Sequence, residues 1–413
     1  MPLEKARHVR YWQRCRSTLL PAHYTPHDST RMTLAFFIVS ALDLLSTPSE
    51  PLLSPDDKRD IRSWVLSLQH PAGGFVGSPT HLLPRENYLA GDGAGGDANL
   101  AATYFALLLL AIADEGGEEG CAFAGVDRAQ TLAWLKRLQR ADGSFGEVVD
   151  GEGRVSGGRD MRYCYLAACV RWCLRGDVEE GSEAWVEDID VAGLVAHIRR
   201  AQTYDGGMGE SSQHESHAGY AYCAIAALSL LERPLAESAT PPPRVMDSGI
   251  PDVPALVKFL VGRQLAYVDP PEGDDDDDDD EEDPDAANCL EVGLGKLGLG
   301  EFVGFNGRWN KEADTCYCWW VGATLKILGH DNLISNGPSR AFLLDKTQHI
   351  VGGFGKHPGS SPDAYHAYLG LAALATLGDE ELGGFDAGLC VSEGVVPRIE
   401  RGRAVLVRGG GGE

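Results

Sequence analysis

The stretch Gln202-Thr203-Tyr204-Asp205-Gly206-Gly207-Met208 is one of four near-copies in a chain of 413 residues, and its recurrence decides how the rest is read. The others are Gln69 with Gly73-Gly74-Phe75, Gln139 with Gly143-Ser144-Phe145, and Gln348 with Gly352-Gly353-Phe354; in each the first glycine stands four residues after the glutamine. A fifth copy keeps Gln264, but its Gly304-Phe305 lies far downstream, so the residues between are an insertion into one loop. The glycines suit a turn that needs positive φ, and the aromatic beside them can pin that turn onto neighbouring helices.

Working outward, the flanks of every turn read as helical. Amphipathic stretches such as 128–140 and 191–201 precede the glutamines, and nearly uniform apolar stretches follow the turns at 99–112, 161–174, 216–231, 315–328 and 363–377. An earlier apolar stretch, 33–45, reads as the inner helix of a first, degenerate repeat. The unit is helix, Gly-aromatic turn, helix, recurring over about 50 to 70 residues. A helix that is apolar all round belongs inside one that carries a charged face. Six such pairs predict an all-α, α/α barrel: one domain over 1–413, with an acidic, Gly-rich insertion at 266–301 and a C-terminal tail at 378–413.

Composition narrows the function. The formal net charge is −25, with eleven of the acids packed into 274–285, and 43% of the residues are hydrophobic. This excludes disordered and collagen-like chains and speaks against a nucleic-acid partner. The acid run itself reads as a solvated excursion, with a basic-partner role as the alternative. Most of the ten cysteines fall inside apolar helical patterns, and no apolar leader opens the chain, so we expect reduced thiols and a cytoplasmic location. No apolar run approaches the roughly 18 residues of a membrane span, and the terminal Gly-Gly-Gly-Gly-Glu carries no lipidation signal.

The starts of the inner helices depart from generic core. They read Thr103-Tyr104, Arg162-Tyr163-Cys164-Tyr165, His217-Ala218-Gly219-Tyr220, Asp314-Thr315-Cys316-Tyr317 and Asp363-Ala364-Tyr365-His366, and the repeat brings them to one end of the barrel. Helix N-termini also offer free N–H groups to an anion. Asp314, Cys316 and His366 are three ligand types that zinc accepts, and three protein ligands leave a fourth position open, as in catalytic sites. Taken singly they read as an N-cap, a buried thiol and a helix histidine; the shared rim favours the metal. Cys318 lies nearby, but it would point about 200° round the helix from Cys316 and reads as packing rather than as a ligand. Arg308 and Lys311 directly precede this helix, and with His217 and Tyr317 they can neutralise a diphosphate leaving group. Tyr165, Tyr220, Cys223, Trp319 and Trp320 are either plain core or the wall of an apolar tunnel.

These residues carry a family resemblance. The segment Asp314-Thr315-Cys316-Tyr317-Cys318 through Trp319-Trp320-Val321 to Leu325, with Arg7-His8-Val9-Arg10, Gly307-Arg308 and Pro362-Asp363-Ala364-Tyr365-His366, resembles the β subunits of protein prenyltransferases, most closely those of protein geranylgeranyltransferase type I. The resemblance implies an α/α barrel that pairs with a separate α subunit, binds one Zn2+, and moves a geranylgeranyl group from geranylgeranyl diphosphate to the cysteine of a C-terminal Cys-a-a-X motif, X often Leu. The acceptors it implies are small GTPases of the Rho, Rac and Rap kind. It further implies that Asp314, Cys316 and His366 hold zinc, that His217, Arg308, Lys311 and Tyr317 bind diphosphate, and that Arg162 lies near the acceptor peptide. Tyr165, Tyr220, Cys223 and Trp320 match lipid-pocket positions. Thr33 matches a small residue that leaves room for a 20-carbon chain, and Lys356 stands where the farnesyl enzymes have a magnesium-binding aspartate, so Mg2+ is not expected to be required. Leu369 departs from the usual phenylalanine of the type I enzymes, and the acid insertion is unusual.

Three alternatives stay open on sequence. A farnesyltransferase β subunit is opposed by Thr33 and Lys356, a Rab-type geranylgeranyltransferase by the Arg7 and Gly307 segments, and a non-catalytic helical scaffold by the retained ligand and diphosphate groups. A terpene cyclase shares the barrel but needs an acidic motif at a helix start, whereas here the aspartate run lies in the insertion.

Overall fold

Helices alternate between two rings in the computed structural model, which describes residues 1–81, 98–115, 121–150, 152–236, 243–269 and 300–408. In chain order they are α1 (Lys5–Ser17), α2 (Arg31–Leu45), α3 (Pro55–Ser67), α4 (Leu100–Ile112), α5 (Arg128–Arg137), α6 (Met161–Leu174), α7 (Val191–Arg199), α8 (Ala218–Leu231), α9 (Val253–Val261), α10 (Thr315–Ile327), α11 (Asn336–Ala341, running on as a π-helix over Phe342–Thr347), α12 (Ala364–Thr376) and α13 (Val396–Arg408). The even-numbered helices form the inner ring. α2 packs on α4, α4 on α6, α6 on α8, α8 on α10, α10 on α12, and α12 returns to α2. Burial follows the pattern of apolar residues: α4 is buried at every position from Ala106 to Ile112, whereas outer helix α3 buries only Val65. Each fully buried leucine of this kind contributes roughly 2 kcal/mol. This is the six-pair α/α barrel expected from the repeats.

The recurring glutamine ties each turn to the next outer helix. Its side-chain oxygen accepts a backbone N–H and its amide donates to a backbone carbonyl at the start of that helix. Gln69 does so at Asp127 and Gly125 (2.8 and 3.1 Å), Gln139 at both groups of Asp190 (2.7 and 2.8 Å), and Gln202 at both groups of Asp252 (2.9 and 2.8 Å). Gln264 reaches Ser335 and Leu333 (2.8 and 3.0 Å), and Gln348 closes the ring on Glu4 and Pro2 of the N-terminus (2.9 and 3.3 Å).

The first glycine of each turn is required twice over. Gly73, Gly143, Gly206 and Gly352 have φ of +103°, +86°, +89° and +90°. A Cβ on any of them would overlap the backbone of the next outer helix, at Gln130, Gly193, Ala255 and Arg7 respectively. Each turn is then closed by a bridge from the glutamine to the residue after the second turn position: Gln69 with Phe75, Gln139 with Phe145, Gln202 with Met208, Gln348 with Phe354. In the fifth copy the same bridge, Gln264 with Phe305, starts an antiparallel hairpin of Gln264–Tyr267 with Phe302–Phe305. The insertion leaves from the far end of that hairpin, and the acid run 274–285 lies outside the described residues.

Polar N-caps gather at one rim. Asn99, Asp160, His217, Asp314 and Asp363 each accept a backbone N–H from the first turn of α4, α6, α8, α10 and α12, at 2.8 to 3.0 Å. Such caps are each worth about 1 kcal/mol. Four of the five, Asp160, His217, Asp314 and Asp363, also belong to the site described below.

The segment from residue 378, expected as a tail, is folded as far as it is described. The turn of the hairpin Phe385–Asp386 with Val391–Ser392 meets tyrosines one turn inside the inner helices: Tyr222 donates to the Ala387 carbonyl (2.9 Å), Tyr104 to Leu389 (3.2 Å) and Tyr368 to Cys390 (2.6 Å). α13 then crosses the C-terminal ends of the inner helices, where Arg398 donates to Ile112 and Arg403 to Trp172 (2.9 and 2.6 Å), cations placed against helix C-termini. Its amphipathic pattern, with Ile399 fully buried, falls outside the repeat, which is why repeat reasoning passed over it. No helix among the described residues is long and apolar enough to cross a membrane.

Candidate metal and diphosphate site

Asp314 caps α10 and Cys316 lies in its first turn, while His366 sits in the first turn of the adjacent α12. One ligand atom from each of these three lies within 4.8 Å of the other two. Asp314 is therefore a cap and a candidate ligand at once: one carboxylate oxygen accepts the Cys316 N–H at 2.8 Å and stands 3.4 Å from His366 Nε2. On the other side of the imidazole, Nδ1 lies 2.6 Å from the Asp363 carboxylate. A carboxylate behind a histidine fixes the ring and leaves the far nitrogen to face a metal.

The charge state of this cluster fits a divalent cation. Burial raises the Asp314 carboxyl, but His366 and the Cys316 N–H outweigh it and hold Asp314 below the usual range. Burial lowers His366, yet Asp314 and Asp363 together push it up to about 9. Burial, then the Asp314 charge, drives the Cys316 thiol well up. Protons on Cys316 and His366 thus occupy the place of positive charge, and a bound dication would displace them. A thiol, an imidazole and a carboxylate at this spacing make a donor set that zinc accepts. Cys318 is buried and takes no part in the cluster.

The groups expected to face a leaving diphosphate lie across the gap between α8 and α10. The Tyr317 hydroxyl lies 2.9 Å from His217 Nε2, and His217 Nδ1 accepts the Gly219 N–H at 3.0 Å. Burial and then Arg308 depress His217 to about 4, so the ring is neutral with its hydrogen on Nε2. Gly307 lies flat against Tyr317, where any Cβ would enter the phenol ring, and its carbonyl accepts the Ala218 N–H at 2.8 Å. Arg308 is partly exposed and pairs with Glu215 at 2.9 Å. Lys311 and Lys356 are exposed and make no ion pair among the described residues. Lys356 is held at the rim by its backbone, since its carbonyl accepts the Thr315 N–H at 3.0 Å and its neighbour His357 reaches the Ala313 carbonyl at 2.9 Å.

Arg162 is exposed at the start of α6 and doubly bonded to its own cap Asp160, which raises its pKa further. Below the rim the aromatic rings pack in an unbroken chain of contacts. Phe36 and Tyr104 lie 6.2 Å apart, Tyr104 and Tyr165 5.5 Å, Tyr165 and Tyr222 5.3 Å, and Tyr222 and Trp320 5.0 Å between centroids. Tyr165, Cys223 and Leu369 are buried, while Thr33, Tyr220 and Trp320 are half-buried. Thr33 and Leu369 stand on α2 and α12, which pack together.

Sequence reasoning passed over several groups that the fold brings here. Asp363 occupies in α12 the cap position that Asp314 occupies in α10, a parallel that was available in the sequence. Tyr365 accepts from the Trp320 indole at 3.0 Å beside Cys316. Asp160 and Glu215 neutralise the arginines, and Gly307 admits the Tyr317 ring; nothing in their spacing signals this.

The chain belongs to the prenyltransferase alpha-alpha toroid family, whose domain description matches residues 3–391. Its relatives narrow the branch to the β subunits of protein prenyltransferases, which are enzymes. It is 31% identical over 390 residues to the geranylgeranyl transferase type-1 β subunit of Arabidopsis thaliana, covering 92% of this chain and 86% of the relative. With the type-1 β subunit of Dictyostelium discoideum it shares 27% over 387 residues, 89% of each chain. The farnesyltransferase β subunit of Schizosaccharomyces pombe is 27% identical over 386 residues, 89% of this chain and 78% of that one. Among solved structures, that of the Candida albicans protein geranylgeranyltransferase-I complexed with GGPP shares the fold, with a TM-score of 0.74 at 22% identity over 98% of this chain and all of the other.

Proposed function

We propose that this prenyltransferase β subunit is the catalytic subunit of a zinc-dependent protein geranylgeranyltransferase type I, working as a heterodimer with an α subunit in the cytoplasm. It transfers the geranylgeranyl group of geranylgeranyl diphosphate to the cysteine of a C-terminal Cys-a-a-X motif of small GTPases. The observation that carries this reading is the convergence on one rim of the Asp314, Cys316 and His366 cluster with the His217 and Tyr317 pair. Support for the geranylgeranyl branch comes from the small Thr33 on α2, from Lys356, which has no ion-pair partner among the described residues, and from the type-1 names of two relatives.

Asp314, Cys316 and His366 would hold Zn2+, which supplies the Lewis acidity that turns an acceptor thiol into a thiolate at neutral pH. The other groups act on the donor. The aromatic wall takes up the isoprenoid and excludes water from its first carbon. Lys311, Lys356 and Arg308 bind the diphosphate, with Glu215 yielding its partner to the stronger anion. As the acceptor sulfur bonds to that carbon, the carbon–oxygen bond breaks and the diphosphate departs with the electron pair. Neutral His217 donates from Nε2 to the Tyr317 oxygen, which turns the phenol hydrogen outward to the developing charge. No residue of this chain becomes covalently modified.

The deciding experiment is transfer to a leucine-ended Cys-a-a-X peptide by the chain co-expressed with an α subunit, in zinc-replete, magnesium-free buffer. Geranylgeranyl transfer is the expected result. Preference for farnesyl diphosphate would move the chain to the farnesyl branch, and no transfer by a folded, zinc-loaded complex would leave the scaffold reading.

A further inference from the structure

Two loops carry the diphosphate-side groups: the turn after α7, which leads through Ser216 to His217, and the loop before α10, which holds Arg308 and Lys311. They are distant in sequence; besides the Arg308–Glu215 pair and the Ala218 to Gly307 bond, they are joined by a carboxylate that the chemistry above does not use. Asp205, in the third glycine turn, accepts from the Ser216 hydroxyl at 2.6 Å and from the Trp309 indole at 3.0 Å through the same oxygen, Oδ2. Its Oδ1 accepts from Thr203 at 2.5 Å and from the Gly207 N–H at 3.2 Å, so the carboxylate is fixed within its own turn. The two residues it holds, Ser216 and Trp309, are the immediate neighbours of His217 and Arg308.

A second observation converges on Trp309. Its ring, although 54% exposed as a residue, is stacked at 3.8 Å on the guanidinium of Arg263, which in turn lies 4.9 Å from the Phe259 ring. Arg263 is 1% exposed, and its Nε and Nη1 have no hydrogen-bond partner among the described residues. A buried cation with orphaned donors is costly and calls for a reason. Clamping an indole against a carboxylate is one, since the face of the ring meets the cation while its N–H meets Asp205.

We propose that Asp205 is a positioning residue for prenyl diphosphate binding, fixing through Ser216 and Trp309 the two loops that present His217 and the Arg308–Lys311 cations as one anion cradle. Arg263 is the base on which Trp309 rests. This deepens the proposed function and rests on it, because the ligand addressed is the diphosphate of that reading.

The test compares affinities of the zinc-loaded heterodimer for geranylgeranyl diphosphate and for geranylgeraniol, which lacks the diphosphate. Asp205→Ala is expected to weaken the diphosphate about tenfold, the scale of a lost hydrogen bond to a charged group, and to leave the alcohol and the zinc content unchanged. Trp309→Phe keeps the stacked ring and loses only the indole N–H; it is expected to show about half of that effect on a logarithmic scale. Ser216→Ala combined with Trp309→Phe is expected to match Asp205→Ala, and adding Asp205→Ala to that pair is expected to cost nothing more. Equal loss of both ligands, or wild-type affinity for the diphosphate in Asp205→Ala and Trp309→Phe, overturns the proposal while leaving the proposed function standing. A wild-type complex that binds neither geranylgeranyl nor farnesyl diphosphate overturns both.

Discussion

The Tyr317 hydroxyl lies 2.9 Å from Nε2 of His217, one group on α10 and the other capping α8. Because Nδ1 of the same ring accepts the Gly219 N–H, the phenol oxygen is the acceptor in this pair and its own hydrogen is free. Tyr317→Phe removes that hydrogen with little change in volume. Single-turnover prenyl transfer is expected to slow about tenfold, with the thermal midpoint almost unchanged. An unchanged rate would remove Tyr317 from the leaving-group side.

Cys316 stands in the metal cluster with a thiol driven up by burial and by Asp314, a shift that a bound cation would oppose. Cys316→Ala is therefore expected to lose bound zinc and transfer together, whereas Cys318→Ala keeps both. Metal analysis of the purified heterodimers decides it, and full activity with one zinc in Cys316→Ala would sink the assignment.

Lys356, which has no ion-pair partner among the described residues, stands at the start of α10, anchored through its carbonyl to Thr315. Replacing it by Asp puts a carboxylate in the same place and leaves the diphosphate one positive charge short. Transfer by Lys356→Asp is expected to be slow without magnesium and to recover as magnesium is added. A flat response across a magnesium titration would count against the charge-replacement reading.

His8 joins α1 to the last repeat. Its Nε2 bonds to Gln348 at 3.0 Å and its Nδ1 accepts the Gly353 N–H at 3.2 Å, so both nitrogens are spoken for by the neutral ring. Burial lowers it to about 4, against an ordinary value of 6.5. Between those two pH values the unfolded chain binds the extra proton, so stability falls as pH drops from about 6.5 toward 4 and is independent of this group above 7. The loss reaches about 3 kcal/mol. Denaturant unfolding at pH 7.5 and 5 should show His8→Gln with a shallower pH dependence than the parent; equal slopes would contradict this.

Gly143 and Gly181 both have positive φ, +86° and +84°, but a Cβ on Gly143 would overlap the α7 backbone while Gly181 faces open space. Gly181→Ala is expected to cost about 1 kcal/mol, the conformational part alone. Gly143→Ala should cost about 3 kcal/mol or more, because the turn and α7 must also move apart. Equal costs, measured by unfolding, would mean that the turn rather than the contact with the next repeat fixes this residue.

The ring of helix pairs was legible because it depends on local patterns. An apolar helix such as α4 differs from a charged-faced one such as α3 at every turn, and the Gln to Gly spacing repeats within a few residues. The candidate ligands were legible for the same reason, since Asp314, Cys316 and His366 fall at equivalent helix starts of successive repeats. The C-terminal hairpin and α13 were not, because their partners are backbone carbonyls and tyrosines far away in the chain.

By itself, then, the sequence determined the repeat, the inner and outer rings and the rim on which reactive side chains gather, since period and register are properties of neighbouring residues. Only the tertiary structure decided which partner each of those side chains takes. That Glu215 holds Arg308 and that Asp205 reaches Trp309 are consequences of the packing of successive repeats, which brings loops about 100 residues apart to hydrogen-bonding distance. Hydrogen bonds and ion pairs at these sites depend on distance and direction in space, and a linear pattern carries neither.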